Sequence, residues 1–147
     1  MGAKFQLVID CADPDRMAHF WAEALRYRIA APPAPHATWE EFWRSKGVPE
    51  EELGSGDDRI EDPEGRGPSL WFQPVEERKR SKNRLHIDLG ASGGYEHSIE
   101  VRRQRVDAEA DRLVKIGARR LEVLEEAGVD HYAIAMQDPE GNEFDIN

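Results

Sequence analysis

Apolar and polar positions along the chain fall into a short list of elements. Phe5 to Ile9 is an apolar-rich run broken by Gln6, which predicts a strand. Asp13-Pro14-Asp15 then reads as a helix start, with Asp13 as N-cap, Pro14 at the first helical position and Asp15 in the first turn. Met17, Phe20, Trp21, Ala24 and Leu25 recur at helical spacing and predict a buried stripe, with His19 beside it on the helix surface. The pattern is lost after residue 31, where Pro32, Pro33 and Pro35 exclude a regular element. Thr38 and Glu41 have capping-box spacing and predict a short helix through Trp43, and 54–58 reads as a loop. Ser69 to Val75 reads as a strand.

After residue 80 the same order returns. Leu85 to Leu89 alternates and predicts a strand, and 99–116 predicts a helix with a stripe of Val106, Ala110, Leu113 and Val114 that stops at Gly117. Arg120 to Leu124, His131 to Met136 and Glu143 to Ile146 read as strands. The tetrapeptide Asp62-Pro63-Glu64-Gly65 recurs as Asp138-Pro139-Glu140-Gly141, an offset of 138 − 62 = 76 residues. Matching Gln6 to His86 in the two first strands gives 86 − 6 = 80. Two similar offsets predict a duplicated module, residues 1–80 and 81–147, with a lid-like insertion near 31–60 in the first copy.

Residues two apart on a strand share a face. Phe5, Leu7 and Ile9 therefore oppose Gln6, Val8 and Asp10, and Leu85, Ile87 and Leu89 oppose His86 and Asp88. The apolar faces are expected to meet the helices. Trp71 shares a face with Gln73, and Glu143 with Asp145. If the modules pair, the polar positions Gln6, Gln73, His86 and Asp145 are expected to converge.

Composition narrows the function classes. The 147 residues suit one domain with one sizeable core, and the net charge of −10 argues against nucleic acid. The basic run 78–84 and Arg102, Arg103 and Arg105 read as solvated surface. No apolar run spans a membrane and no signal peptide is evident, so a cytoplasmic protein is expected. Cys11, the single cysteine, excludes an intrachain disulfide and reads as a buried thiol near a strand end.

The stretches FQLVIDCADPDRMAHFWAEAL, GPSLWFQPV, KNRLHIDL, RVDAEADRLVKIGA and DHYAIAMQDPEGNEFDIN resemble the glyoxalase-like proteins of the vicinal oxygen chelate (glyoxalase/bleomycin resistance/dioxygenase) superfamily. The closing DPEGN followed by a strand is the most characteristic of these. The resemblance covers most of the chain outside residues 30–60. It implies an α+β fold of two paired βαβββ modules, a curled mixed sheet around a cavity and helices on the outer face. It also implies a homodimer by analogy.

In metal-dependent members a ligand stands on the first and last strand of each module, and those places fall on Gln6, Gln73, His86 and Asp145. His86 and Asp145 suit zinc, nickel, iron or manganese, and Gln6 is tolerable. Gln73 departs from the usual glutamate and cannot act as a base. With only one histidine among these four positions, the set argues against dioxygenase chemistry and against thiol transfer to an epoxide antibiotic.

The expected function is therefore a metal-independent binding protein or enzyme for a small aromatic or partly apolar molecule. Gln6, Trp39, Trp43, Trp71, Gln73, His86 and Asp88 would line its pocket, with Asp145 as a further polar anchor and no cofactor. The alternative is a metal-dependent lyase or isomerase acting on vicinal oxygens, with metal on Gln6, His86 and Asp145 and a base drawn from His131, Glu143 or Asp88. A third reading is an interaction module whose pocket is vestigial.

Overall fold

A computed structural model describes residues 1–54 and 56–147. Ser55, in the predicted 54–58 loop, lies outside the described residues. The chain divides into two compact units, Met1–Arg78 and Lys79–Asn147.

The first unit runs β1 (Gln6–Cys11), α1 (Pro14–Leu25), β2 (Arg28–Ile29), α2 (Trp39–Ser45), a single 3₁₀ turn (Glu50–Glu52), β3 (Arg59–Glu61) and β4 (Ser69–Pro74). Its sheet has the order β1-β4-β3-β2, with β1 and β4 parallel and the other pairs antiparallel. The second unit repeats this plan with β5 (Asp88–Leu89), α3 (Ile99–Lys115), β6 (Arg119–Leu124), β7 (Ala133–Gln137) and β8 (Glu143–Ile146), in the order β5-β8-β7-β6. Each unit is thus a βαβββ module, and the fold class is α+β.

Local chemistry explains the helices. The Asp13 carboxylate accepts the Arg16 N–H at 3.1 Å, the Thr38 hydroxyl that of Glu41 at 3.2 Å, and the Ser98 hydroxyl that of Val101 at 3.3 Å. Each satisfies a backbone donor that a first turn leaves open. Helix α1 packs Met17, Ala18, Phe20 and Trp21 toward the sheet face that carries Leu70, Phe72 and Ile60, all buried. Helix α3 does the same with Val106, Ala110 and Leu113 over Ile134, Met136, Phe144 and Ile146. Each large side chain taken from water in these layers contributes roughly 1.5–3 kcal/mol.

Both copies of the repeated tetrapeptide form the same turn. Asp62 accepts the N–H groups of Glu64 and Arg66, both at 2.9 Å, and Asp138 accepts those of Glu140 and Asn142, both at 2.9 Å. Gly65 and Gly141 follow with φ of 67° and 87°, a region that a residue with a Cβ enters only at a cost.

Several expectations are corrected. The strand expected over Leu85–Leu89 is a ladder only at Asp88–Leu89, and Leu85 is 86% exposed rather than under a helix. Phe5 is likewise exposed, because it lies before the start of β1, whereas Val8 is exposed on the polar face where alternation places it. Val114 lies outside the buried stripe of α3, which Arg102 joins instead. Arg102 was expected on the surface. It is buried because its guanidinium donates to the His97 carbonyl at 3.1 Å, pairs with Asp130 and lies 4.9 Å from the Tyr95 ring centre. Strands β2 and β3 supply the two strands between α1 and β4 that the βαβββ plan implied and that no residue pattern located. Among the described residues no helix is long and apolar enough to cross a membrane.

Candidate functional site

The face of each sheet opposite its helix is the polar one, and side-chain alternation puts the expected site residues there. In the second unit β5 runs parallel to β8 with Asp88 beside Asp145. His86 precedes β5 by two residues and turns its ring to the same place. Its Nε2 lies 3.2 Å from Asp88 Oδ1 and 3.5 Å from Asp145 Oδ2. The three donor atoms lie within 4.8 Å of one another. His86 and Asp88 are exposed and Asp145 is half-buried, so solvent and a small solute reach the group.

This donor set fits a divalent cation. One imidazole nitrogen and two carboxylates make a mixed N,O set of the kind that zinc, manganese and iron accept. Asp88 supplies a second negative charge, so the formal charge from the carboxylates is −2 without any contribution from Gln73.

The first unit does not offer a matching pair. In its parallel ladder Gln73 stands beside Asp10, four residues beyond Gln6, whereas Asp145 stands beside Asp88, two residues beyond His86. Four residues of strand separate Gln6 and Gln73 by roughly 13 Å, too far to share an ion. Gln6 instead donates its amide N–H to the Ser69 hydroxyl at 3.2 Å. The expected convergence of Gln6 with Gln73 is therefore absent within this unit.

Trp39, Trp43 and Trp71 gather around one cation on the same polar face. Arg59 is the register partner of Trp71 across the β3–β4 pair. Its guanidinium lies 5.0 Å from the Trp39 ring centre, 5.3 Å from that of Trp43 and 5.0 Å from that of Trp71. Trp39 and Trp43 stack at 6.0 Å with a 23° interplanar angle. Asp58 completes the cluster, accepting from Arg59 at 2.6 Å and from the Trp71 indole N–H at 3.1 Å. Trp39 donates its own indole N–H to the Ala30 carbonyl at 2.8 Å. Helix α2 is thereby fastened by its indoles to the polar face of the first sheet. Sequence reasoning missed Arg59 and Asp58, whose only signal was their place just before an apolar strand residue.

The proton-transfer candidates separate clearly. Glu143 accepts the Asn83 backbone N–H at 2.9 Å and pairs with Lys79 at 2.9 Å. These contacts, the Asn83 hydrogen bond foremost, pull its carboxyl down from 4.5 to about 2. So acidic a group is a poor base at neutral pH. Glu143 instead anchors the segment leading to His86, beside a cleft of about 320 Å³ that Lys79, Arg80 and Lys82 also line. His131 lines a different cleft, with Val123, Leu124 and Val129. Asp88 is the one candidate that stands within the His86 group.

Solved structures share this fold at low identity. A glyoxalase/bleomycin resistance protein/dioxygenase family enzyme from Burkholderia phytofirmans is 15% identical, with a TM-score of 0.60 over 99% of this chain and 98% of that one. The fosfomycin resistance protein FosX from Mesorhizobium loti is 12% identical, with a TM-score of 0.56 over 99% and 91%. A mutant FosX from Listeria monocytogenes, complexed with manganese(II) and a dihydroxypropylphosphonic acid, is 10% identical, with a TM-score of 0.60 over 100% and 90%. No protein of curated function matches by sequence. The model of the glyoxalase-like domain matches residues 6–147. The duplicated βαβββ plan fits this match over nearly the whole length, which shows that the chain belongs to the glyoxalase-like domain family.

Proposed function

We propose that His86, Asp88 and Asp145 hold a divalent cation and that the protein uses it to bind a small molecule bearing two adjacent oxygens. The observation that carries this reading is the placement of one imidazole nitrogen between two carboxylate oxygens on a solvent-reached polar face. The cation, when bound, supplies Lewis-acid polarisation of the oxygens it meets. The chain's own part is to fix the donors. Asp145 sits on β8 between β5 and β7, and Glu143 tethers the approach to His86 through Asn83 and Lys79. With Glu143 held as an anion, a lyase or isomerase reaction would draw its base from Asp88 or from the substrate.

The fit of the donor set reverses the order of the two sequence-based readings, because Asp88 replaces the charge that Gln73 lacks. The metal-free reading keeps one specific support. Trp39, Trp43 and Trp71 present indole surface on the polar face of the first module, as a binder of a flat, partly apolar molecule would.

The deciding experiment is metal analysis of untagged protein, native and His86→Ala. The expected result is bound zinc, manganese, nickel or iron, with close to one equivalent lost on the substitution. Metal content that His86→Ala leaves unchanged sinks the cation reading. Quenching of tryptophan emission by flat aromatic compounds in metal-free protein would then favour the second.

A further inference from the structure

We propose that Asp15, His19 and Asp57 form a separate divalent-cation site, suited to zinc, which staples the return of the 31–60 insertion to helix α1. It lies wholly in the first unit, shares no residue with the His86 group and does not rest on the function proposed above.

Three features converge on it. Asp15 and His19 are four residues apart on α1, so they stand one above the other on the same helix face. Asp57 comes from the loop that leads into β3. His19 Nε2 lies 3.3 Å from Asp57 Oδ2 and 3.6 Å from Asp15 Oδ1, and all three donor atoms fall within 4.8 Å of one another. A tetrahedral zinc with bonds near 2.0–2.1 Å places neighbouring donors about 3.3 Å apart. The two separations from His19, 3.3 and 3.6 Å, are already close to that figure.

The chemistry of the ring supports the same conclusion. A neutral imidazole nitrogen carries at most one hydrogen, and Nε2 here faces two carboxylate oxygens. A cation at the centre satisfies the nitrogen lone pair and both anions at once. One imidazole and two carboxylates suit zinc better than magnesium or calcium, which prefer all-oxygen shells with more ligands. The three side chains are about half exposed, at 55%, 54% and 47%, so the ion reaches the site from solvent and water completes its coordination. Little has to move, because α1 is held from beneath by Met17, Phe20 and Trp21.

The staple has a consequence for the insertion. Asp57 is joined directly to Asp58, the carboxylate that bonds Arg59 and the Trp71 indole. Zinc that fixes Asp57 to α1 also fixes the chain beneath the cluster that fastens α2. Occupancy should therefore be felt in Trp71 emission and in protection of the insertion.

The test uses metal-stripped, untagged full-length protein carrying His86→Ala, titrated with zinc and followed by histidine-ring NMR and melting temperature. The expected result is one bound equivalent, a shift of the His19 ring signals and a rise in melting temperature that calcium and magnesium do not produce. His19→Ala and Asp57→Asn, each added to His86→Ala, should abolish both effects. His19 and Asp57 are surface residues, and circular dichroism checks that the variants fold. Should His86→Ala itself fail to fold, His19→Ala in the otherwise native protein should bind one equivalent fewer than the native protein does. Zinc that leaves the His19 ring signals unmoved, or a temperature rise that survives His19→Ala, overturns the proposal.

Discussion

The Asp138 carboxylate gathers the backbone N–H groups of Glu140 and Asn142 and both of its oxygens meet the Asn142 side-chain amide, all at 2.9–3.1 Å. It is also one of two buried charged residues among those described, at 4% exposure. Removing a buried acceptor leaves its donors unsatisfied, which costs about 1–3 kcal/mol. Asp138→Ala is therefore expected to destabilise by that amount, and Asp138→Asn by less, because an amide oxygen still accepts. Asp62→Ala should cost less than Asp138→Ala, since Asp62 is only half-buried. Urea unfolding of the three variants measures this, and equal losses at Asp62 and Asp138 would contradict the burial argument. The repeat of this turn was plain in the sequence. Its purpose was not, because a tetrapeptide match does not say which donors a carboxylate will face.

Helix α2 is seven residues long, too short to persist in water on its own. Its Thr38 cap and the Trp39–Trp43 grip on Arg59 therefore decide whether it stays formed. Each cation–π contact contributes about 0.5–2 kcal/mol, depending on how dry it is. Arg59→Ala is expected to free the helix, shift tryptophan emission to the red and speed tryptic cleavage at Arg44 or Lys46, while Arg59→Lys falls between. An unchanged cleavage rate would show that α2 is held by something else. At this scale, legibility followed length and periodicity. Helices α1 and α3 could be read because their stripes run for three turns or more. Strands β2 and β3 have two and three residues, too few to show a period. Leu85 and His86 alternate like a strand yet lie before the ladder, which begins where the Ile87 carbonyl accepts the Asp145 N–H at 3.0 Å, because alternation shows what a strand would bury and not where its partner starts.

Across the whole molecule, the His86–Asp145 pair was legible because alternation in the 85–89 run and in β8 puts them on one face, and the resemblance named both positions. Asp88 was read as a ligand contact. That it stands beside Asp145 depends on ladder register, which no local pattern encodes. The same register separates Gln6 from Gln73. Register also sets how the protein responds to acid. Residue 143 is brought to Asn83 and Lys79, and its carboxyl is held at about 2 against 4.5 when unconstrained. Asp62 is also lowered, chiefly by the Glu64 backbone N–H. A group lowered in the folded state binds fewer protons there than when unfolded, so it adds stability above its unfolded value. For Glu143 that contribution is complete above pH 4.5 and is lost progressively as the pH falls to about 2. It amounts to at most about 3 kcal/mol, reduced by the water that still reaches the carboxylate. Glu143→Gln keeps an acceptor for Asn83 but does not titrate. Its urea midpoint should therefore lie below that of the native protein at pH 7 and fall less steeply between pH 5 and 3. Lys79→Met should weaken the pH dependence partway, since it removes the ion pair and leaves the Asn83 bond. If the native and Glu143→Gln midpoints decline in parallel through this window, Glu143 is not the group that acid disarms.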